Sequence, residues 1–318
     1  MLRFFVRRCL LALIALFCAA IFVFFAIEVL PGDPAQVMLG VNASPESLAA
    51  LRSQLGLDQS VIIRFAHWLI ELASLNFGVS LIHGDRIASV LIERFSVSLP
   101  LAGLTIFLST GLAFLIGSLS ALYRHKFPDY AVLIMSQFGI SLPGFWLGIL
   151  LILIFSIELK WFPSGGFAGW HAGILLGVKS LVLPAIALAL PQAAILGRII
   201  RTALIEAMEQ DFYRTAIAKG LTPLQALMRH ALSNALIPVL AILGLQLAYL
   251  LAGVIVIENV FVIPGIGRLL IQATGQRDLI MIREIILVLV TVTICINLFI
   301  DIVYGLVDPR LKKGLSDA

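Results

Sequence analysis

The 318-residue chain has little charge. Asp, Glu, Lys and Arg together make up 13% of it, against 61% hydrophobic residues and a mean hydropathy of +1.07. A soluble core cannot absorb that much apolar surface, because small domains remain largely surface. Cysteine is scarce too. Cys9, Cys18 and Cys295 all lie in apolar stretches, which argues against a disulfide framework and against a metal site. The five histidines show no ligand spacing. No Gly-Lys dipeptide occurs, so there is no P-loop, and neither His-Glu-x-x-His nor Gly-x-Ser-x-Gly appears. The sequence therefore describes an all-α integral membrane protein without chemistry of its own.

Six spans account for the apolar runs. Arg3, Arg7 and Arg8 precede the run Cys9–Leu30. A signal peptide also starts basic, but about 20 apolar residues fit a full crossing, and no convincing cleavage site follows. The run is expected to be an uncleaved anchor, with Glu28 at the headgroup boundary. Ser98–Leu122 is the second span, with small residues such as Gly103, Ser109, Gly111 and Gly117 where helices can approach closely. Tyr130–Ile157 is the third. Pro143 should kink it, and Gly144-x-x-x-Gly148 should pack tightly. Leu181–Leu204 is the fourth, broken by Pro184 and Pro191, with Arg198 and Arg201 snorkelling to the headgroups. Val239–Ile257 and Ile285–Val307 are the fifth and sixth. The polar residues within spans, Gln137, Gln192, Gln246, Asn297 and Asp301, read as helix–helix hydrogen bonds rather than a relay. The two halves show no obvious internal repeat.

Between the spans, residues 31–97 form a small subdomain lying on the membrane. It holds the turn cluster Leu30-Pro-Gly-Asp-Pro34, a capped helix from Ser44, and an amphipathic helix with Phe65, Trp68, Leu69 and Leu72. Asn42-Ala-Ser matches a glycosylation sequon, a pattern frequent by chance. The 158–180 loop carries Trp161 and Trp170, which suit an interface belt. Six spans place both termini on one side. Of the 22 Lys and Arg, 13 lie in the segments 1–8, 123–129, 198–233 and 308–318 on that side. Their higher density there makes that side, and both termini, cytoplasmic.

The longest charged connection on that side is 205–238. Ile205, Met208, Phe212 and Ala216 recur at helical spacing and predict one amphipathic helix, ended by Gly220. Thr222 reads as an N-cap, with Pro223 at the first helical position and Gln225 closing a capping box. Leu224, Leu227, Met228, Ala231 and Leu232 supply the second helix, expected to end near Pro238. A DNA-binding helix-turn-helix would need a free recognition helix with a basic face. Only Arg229 and His230 qualify, and both ends are held by spans. A plain connection would not need this length. The knuckle has the shape of an element for docking a partner.

Arg214-Thr-Ala216, followed by Ala218-Lys-Gly220, resembles the cytoplasmic coupling loop of ABC-importer permeases in the form used by the dipeptide/oligopeptide/nickel subfamily. Leu30-Pro-Gly-Asp-Pro34, Leu55-Gly-Leu-Asp-Gln59, Asn76-Phe-Gly-Val-Ser80, Ile140-Ser-Leu-Pro143, Arg229-His-Ala-Leu-Ser-Asn-Ala-Leu-Ile-Pro238, Pro264-Gly-Ile-Gly-Arg-Leu-Leu270, Arg277-Asp278 and Asp308-Pro-Arg310 match it in order. Each match is weak alone; their order and spacing over nearly the whole chain are specific. Phe212 stands where the subfamily often has Tyr, and Ile217 where Arg is common.

The resemblance implies a type I ABC importer permease fold in a single domain, residues 1–318, in a bacterial inner membrane. It implies a second homologous permease, cytoplasmic ATPase subunits that hold the ATP and Mg, and a periplasmic solute-binding protein that meets the 31–97 segment and the loop near Pro264. It implies no cofactor and no nucleic-acid partner for this chain. Asp211, Phe212, Arg214, Thr215, Ala216, Lys219, Gly220, Thr222 and Pro223 would form the coupling loop. Pro143, Gly144, Pro184 and Pro191 would be bending or pathway positions. The cargo is a dipeptide, a longer or glutathione-like peptide, or nickel. The alternative class is a self-contained carrier or channel; an intramembrane enzyme lacks a nucleophile–base pair.

Overall fold

A computed structural model describes residues 2–307 apart from 30–33, 41, 42, 55 and 81. Most of the Leu30–Pro34 turn cluster, the asparagine of the sequon at 42, and the 308–318 tail lie outside the described residues.

Helices dominate the described residues, with one isolated antiparallel bridge between Val79 and Arg86. They are α1 (Leu2–Val29), α2 (Pro34–Leu39), α3 (Pro45–Gln54), α4 (Val61–Ala73), α5 (Ile87–Leu122), α6 (Phe127–Ser141), α7 (Gly144–Leu151), α8 (Ile174–Met208), α9 (Asp211–Ala218), α10 (Pro223–Ala226), α11 (Leu232–Val260), α12 (Ile266–Gln276) and α13 (Leu279–Val307). Among the described residues, five stretches are long and apolar enough to cross a membrane: Phe5–Val29, Ile87–Leu122, Ile174–Met208, Ile242–Val260 and Leu279–Val303.

The third expected span is the sixth candidate, and it is not a kinked rod. α6 and the Gly144–Glu158 helix meet at 100°. Leu142 and Pro143 are both extended, with ψ of 126° and 135°. Proline disfavours helical backbone at the residue before it and cannot donate into the preceding turn, so the helix stops at Ser141 and a new one starts at Gly144. The second arm ends in a π-helical turn, Ile152–Glu158.

The fourth span corrects the expectation in the opposite sense. α8 runs unbroken through Pro184 and Pro191. Each proline removes one hydrogen bond from the ladder. The loss is tolerated in a helix whose inner face is packed on both sides of the prolines, by Leu183, Ala185, Ala187 and Leu188 and by Ala193, Ala194 and Leu196.

The contacts divide the chain into two compact units. One is built mainly on Leu99–Ile263. Its core joins Ala113 and Ala121 of α5, Leu196, Ile200 and Leu204 of α8, and Val239 of α11. Small residues set the helix spacing. A Cβ on Gly117 would lie 2.8 Å from the Gly197 carbonyl oxygen, and one on Gly148 would lie 3.0 Å from the Phe261 ring. Asp301 does serve as a helix–helix link, accepting from Arg8 at 2.8 Å.

The other unit comprises Leu10–Ser98 and Pro264–Ile294. The Ser47 amide donates to the Ser44 hydroxyl at 3.2 Å, which caps α3. α4 is amphipathic as expected. Its Trp68 is buried against Ala20, Phe24 and Leu287, with Phe65, Leu69 and Leu72 beside it. Trp68 Nε1 donates to the buried Glu284 at 2.8 Å, and the Arg283 guanidinium lies 4.7 Å from the indole centre. Glu28 pairs with Arg64 of α4.

Candidate functional site

The knuckle is three short pieces mounted on two long helices. α8 ends at Met208, and Glu209 and Gln210 separate it from α9. The expected single helix from Ile205 to Ala216 is therefore two. The buried residues of α9 are Tyr213 and Ala216, not Phe212. The break moves the inward position from Phe212 to Tyr213, while Ala216 faces inward as expected. Tyr213 and Ala216 join Leu204 and Ala207 in the core, and Phe212 stays 39% exposed.

The turn follows the sequence closely. Gly220 has φ of +90°, its amide donates to Ile217 O at 2.9 Å, and the Leu221 amide donates to Ala216 O at 3.3 Å. This pair of bonds is a Schellman motif, which satisfies the last carbonyls of α9. Leu221 then packs against the core. The Gln225 amide donates to Thr222 Oγ1 at 3.3 Å, and the Thr222 amide donates to Gln225 Oε1 at 3.0 Å. The capping box and Pro223 at the first position are thus both present. Tyr213 Oη donates to Pro223 O at 3.3 Å and crosses the turn. Burial pushes the Tyr213 phenol above its ordinary value, so it remains a donor.

The second helix does not end near Pro238. α10 passes through a π-helical turn, Leu227–Ala231, straight into α11. Ala226, Leu227 and Ala231 face inward, whereas Leu224 and Met228 are 56% and 54% exposed. The π turn inserts one residue per turn and shifts the face that the helix presents. The outer surface therefore carries Phe212, Ile217, Leu224 and Met228, rimmed by exposed Asp211, Arg214, Thr215 and Lys219. Among the proposed loop residues only Ala216 is buried; Gly220, Thr222 and Pro223 form the exposed crest. The knuckle thus presents an apolar patch with a charged rim on a rigid mount, the composition that interaction surfaces share.

Behind the knuckle lies a pair that sequence reasoning missed. Asp129, in the first turn of α6, is 1% exposed. Arg201 does not snorkel. It donates to Asp129 through Nε at 2.7 Å and Nη2 at 2.8 Å. Ser120 Oγ and the His125 amide also donate to the carboxylate, at 2.5 and 2.9 Å. The available signal was a lone acid in a basic loop facing an arginine in the last turns of an apolar span, where an unpaired charge is expensive. At the surface, Arg124 also pairs with Glu209 at 2.6 Å.

The bending candidates gather in part. A Cβ on Gly144 would lie 3.7 Å from the Ala187 carbonyl oxygen, the acceptor that Pro191 leaves without its helix donor. Pro143 is exposed at the bend, and Pro184 is buried within α8. Gln246 donates to the Gln192 carbonyl at 3.4 Å. Among the described residues, no group of three or more His, Cys, Asp or Glu could hold a metal.

Residues 113–313 match the model of the binding-protein-dependent transport system inner membrane component, and residues 1–102 match that of its N-terminal region. A probable peptide ABC transporter permease of Sinorhizobium fredii is 35% identical over 96% of this chain and 98% of its own. A putative peptide transport system permease of Brucella abortus is 37% identical over 96% and 98%. The glutathione permease GsiC of Escherichia coli K12 is 34% identical over 98% and 99%. Among solved structures, a chain of the inward-facing MetNI methionine ABC transporter superposes with a TM-score of 0.56. It is 17% identical and covers 70% of this chain and 99% of its own. That likeness shows the type I importer permease fold. A self-contained carrier is not supported. Its apolar spans and its matches over nearly the full length place this chain in the family of inner-membrane permease components of binding-protein-dependent ABC importers.

Proposed function

We propose that this chain forms half of the transmembrane path of a bacterial inner-membrane importer for peptides or a similar small solute. Its knuckle is the part on which ATP-driven subunits act. The termini and the knuckle are cytoplasmic in this reading, as the distribution of Lys and Arg supports. A second homologous permease completes the path, a periplasmic binding protein delivers the solute, and ATP and Mg are held by the partner ATPases. The peptide class is supported by the names of the relatives from Sinorhizobium, Brucella and Escherichia.

The observation that carries the reading is the knuckle surface. Phe212, Leu224 and Met228 stand outward from a turn fixed by a Schellman motif, a capping box and the Tyr213–Pro223 bond. Leu204 and Ala207 tie it to α8, and the π turn runs without a break into α11. A force applied to the knuckle thus reaches the fourth span through the packed core around Leu204 and Ala207, and the fifth through helical backbone. Closure of the ATPase pair would move both spans together, which is the element alternating access requires.

The test is co-purification of the tagged chain with its ATPase subunits from mild detergent, followed by ATPase assays with peptide-loaded binding protein. Bound ATPase subunits whose turnover rises with the loaded binding protein support the reading. Phe212→Asp and Gly220→Pro should each abolish the stimulation and uptake while the chain still inserts. Normal uptake in Gly220→Pro would sink the coupling role.

A further inference from the structure

The pair behind the knuckle joins α6 to α8, the helix on which the knuckle is mounted. Arg201 lies two turns before the end of α8, while Asp129 starts α6. Arg201 grips Asp129 with two nitrogens, at 2.7 and 2.8 Å. The fork-to-carboxylate geometry fixes direction as well as distance. The carboxylate is saturated, because Ser120 of α5 and the His125 amide take its remaining acceptor positions. Farther along the same two helices, a Cβ on Gly139 would meet Ala194 Cβ at 3.0 Å. α6 is thus registered on α8 at two levels, by charge at the knuckle end and by close packing near the bend. Two points fix both sliding and pivoting. Immediately beyond the second point, the extended Leu142 and Pro143 form the 100° bend.

We propose that Asp129 and Arg201 form a positioning latch that makes α6 follow the knuckle end of α8, so that motion of the knuckle is delivered to the Leu142–Pro143 bend. This rests on the coupling role given to the knuckle above. Both are positioning residues and act by holding α6 in register. The bend is where the transmitted motion changes the angle between α6 and α7. Without the latch, the knuckle end of α8 can move while α6 stays.

The test uses the assembled permease–ATPase complex. Spin labels are placed at Met135 and Ile154, both exposed, one on each arm of the bend, in a chain whose three cysteines are replaced. The distance is read by pulsed electron resonance without nucleotide and after trapping with ATP and vanadate. In the parent chain, trapping should shift the distance. In Asp129→Asn, ATP hydrolysis should continue but the shift should lose more than half its amplitude, and Asp129→Arg combined with Arg201→Asp should restore it. Arg201→Lys keeps the charge but loses the fork and should give a reduced shift; it serves if Asp129→Asn fails to assemble. A full shift in Asp129→Asn or Arg201→Lys overturns the latch. So does a parent chain with no shift although its ATPases hydrolyse ATP. A complex without bound, active ATPases would instead overturn the coupling reading itself.

Discussion

Gly220 holds φ of +90°, and nothing lies within 4 Å of where its Cβ would be. Space therefore does not require glycine there; the left-handed backbone does. Gly220→Ala should fold and cost about 1–2 kcal/mol, read as a lower unfolding temperature of the detergent-purified chain. Gly220→Pro is a different lesion, because proline fixes φ near −65° and removes the amide that donates to Ile217. Tyr213 is the second residue of consequence at this scale. Tyr213→Phe removes only the long bond to Pro223 and should cost about 0.5–1.5 kcal/mol, whereas Tyr213→Ala should cost about 3–5 kcal/mol by opening the core under α9. The phenol also has a pH signature. Its folded pKa is raised by burial, so above about pH 10 the folded chain keeps a proton that the unfolded chain releases. Stability from this residue is therefore unchanged below that pH and falls as pH rises through the window. The stability difference between the parent chain and Tyr213→Phe should shrink between pH 9 and 11.

At the scale of elements, the crossing of α5 and α8 depends on two glycines. A Cβ on Gly117 meets the backbone oxygen of Gly197 at 2.8 Å, and one on Gly197 meets Ile116 at 2.7 Å. Backbone cannot yield as a side chain does, so Gly117→Ala should destabilise by about 1–3 kcal/mol. Gly103→Ala, on the same helix with open space around it, should be silent. Comparing the two by thermal unfolding separates close packing from a general intolerance of alanine, which is a good helix former. The knuckle and α8 show how local signals combine. Caps and turn residues were legible because they act within four residues, as at Gly220, Thr222 and Gln225. The break at Glu209–Gln210 was not legible, since it lies inside a stripe that reads equally well as one helix. The unbroken passage through Pro184 and Pro191 depends on packing over the whole length of α8, which no local rule reports.

At the scale of the whole molecule, the described residues divide into two compact units, each with buried apolar clusters of its own. The knuckle belongs to one. The Trp68 cluster belongs to the other, where Glu284 accepts from Trp68 at 2.8 Å and from Arg283 at 2.9 Å. Removing one partner of a buried pair strands the other, at about 3–5 kcal/mol. Glu284→Ala should therefore lower the unfolding temperature while leaving co-purification of the ATPase subunits intact. Loss of those subunits in Glu284→Ala would show that the two units are not independent in the assembled importer.

The sequence by itself determined the membrane class, the number of apolar runs, the amphipathic α4, and the chemistry of the turn at Gly220–Gln225. Each follows from composition, periodicity or bonds between near neighbours. The family was legible too, from motif order along the chain. Only the tertiary structure decided that Pro143 makes a 100° bend while Pro184 and Pro191 leave their helix whole, that Phe212 faces out and Tyr213 in, and that Arg201 turns inward to Asp129. Those outcomes depend on which groups meet across 72 residues of chain, as Asp129 and Arg201 do. An arginine at the end of a span can snorkel or pair, and only the position of its partner in space selects between them.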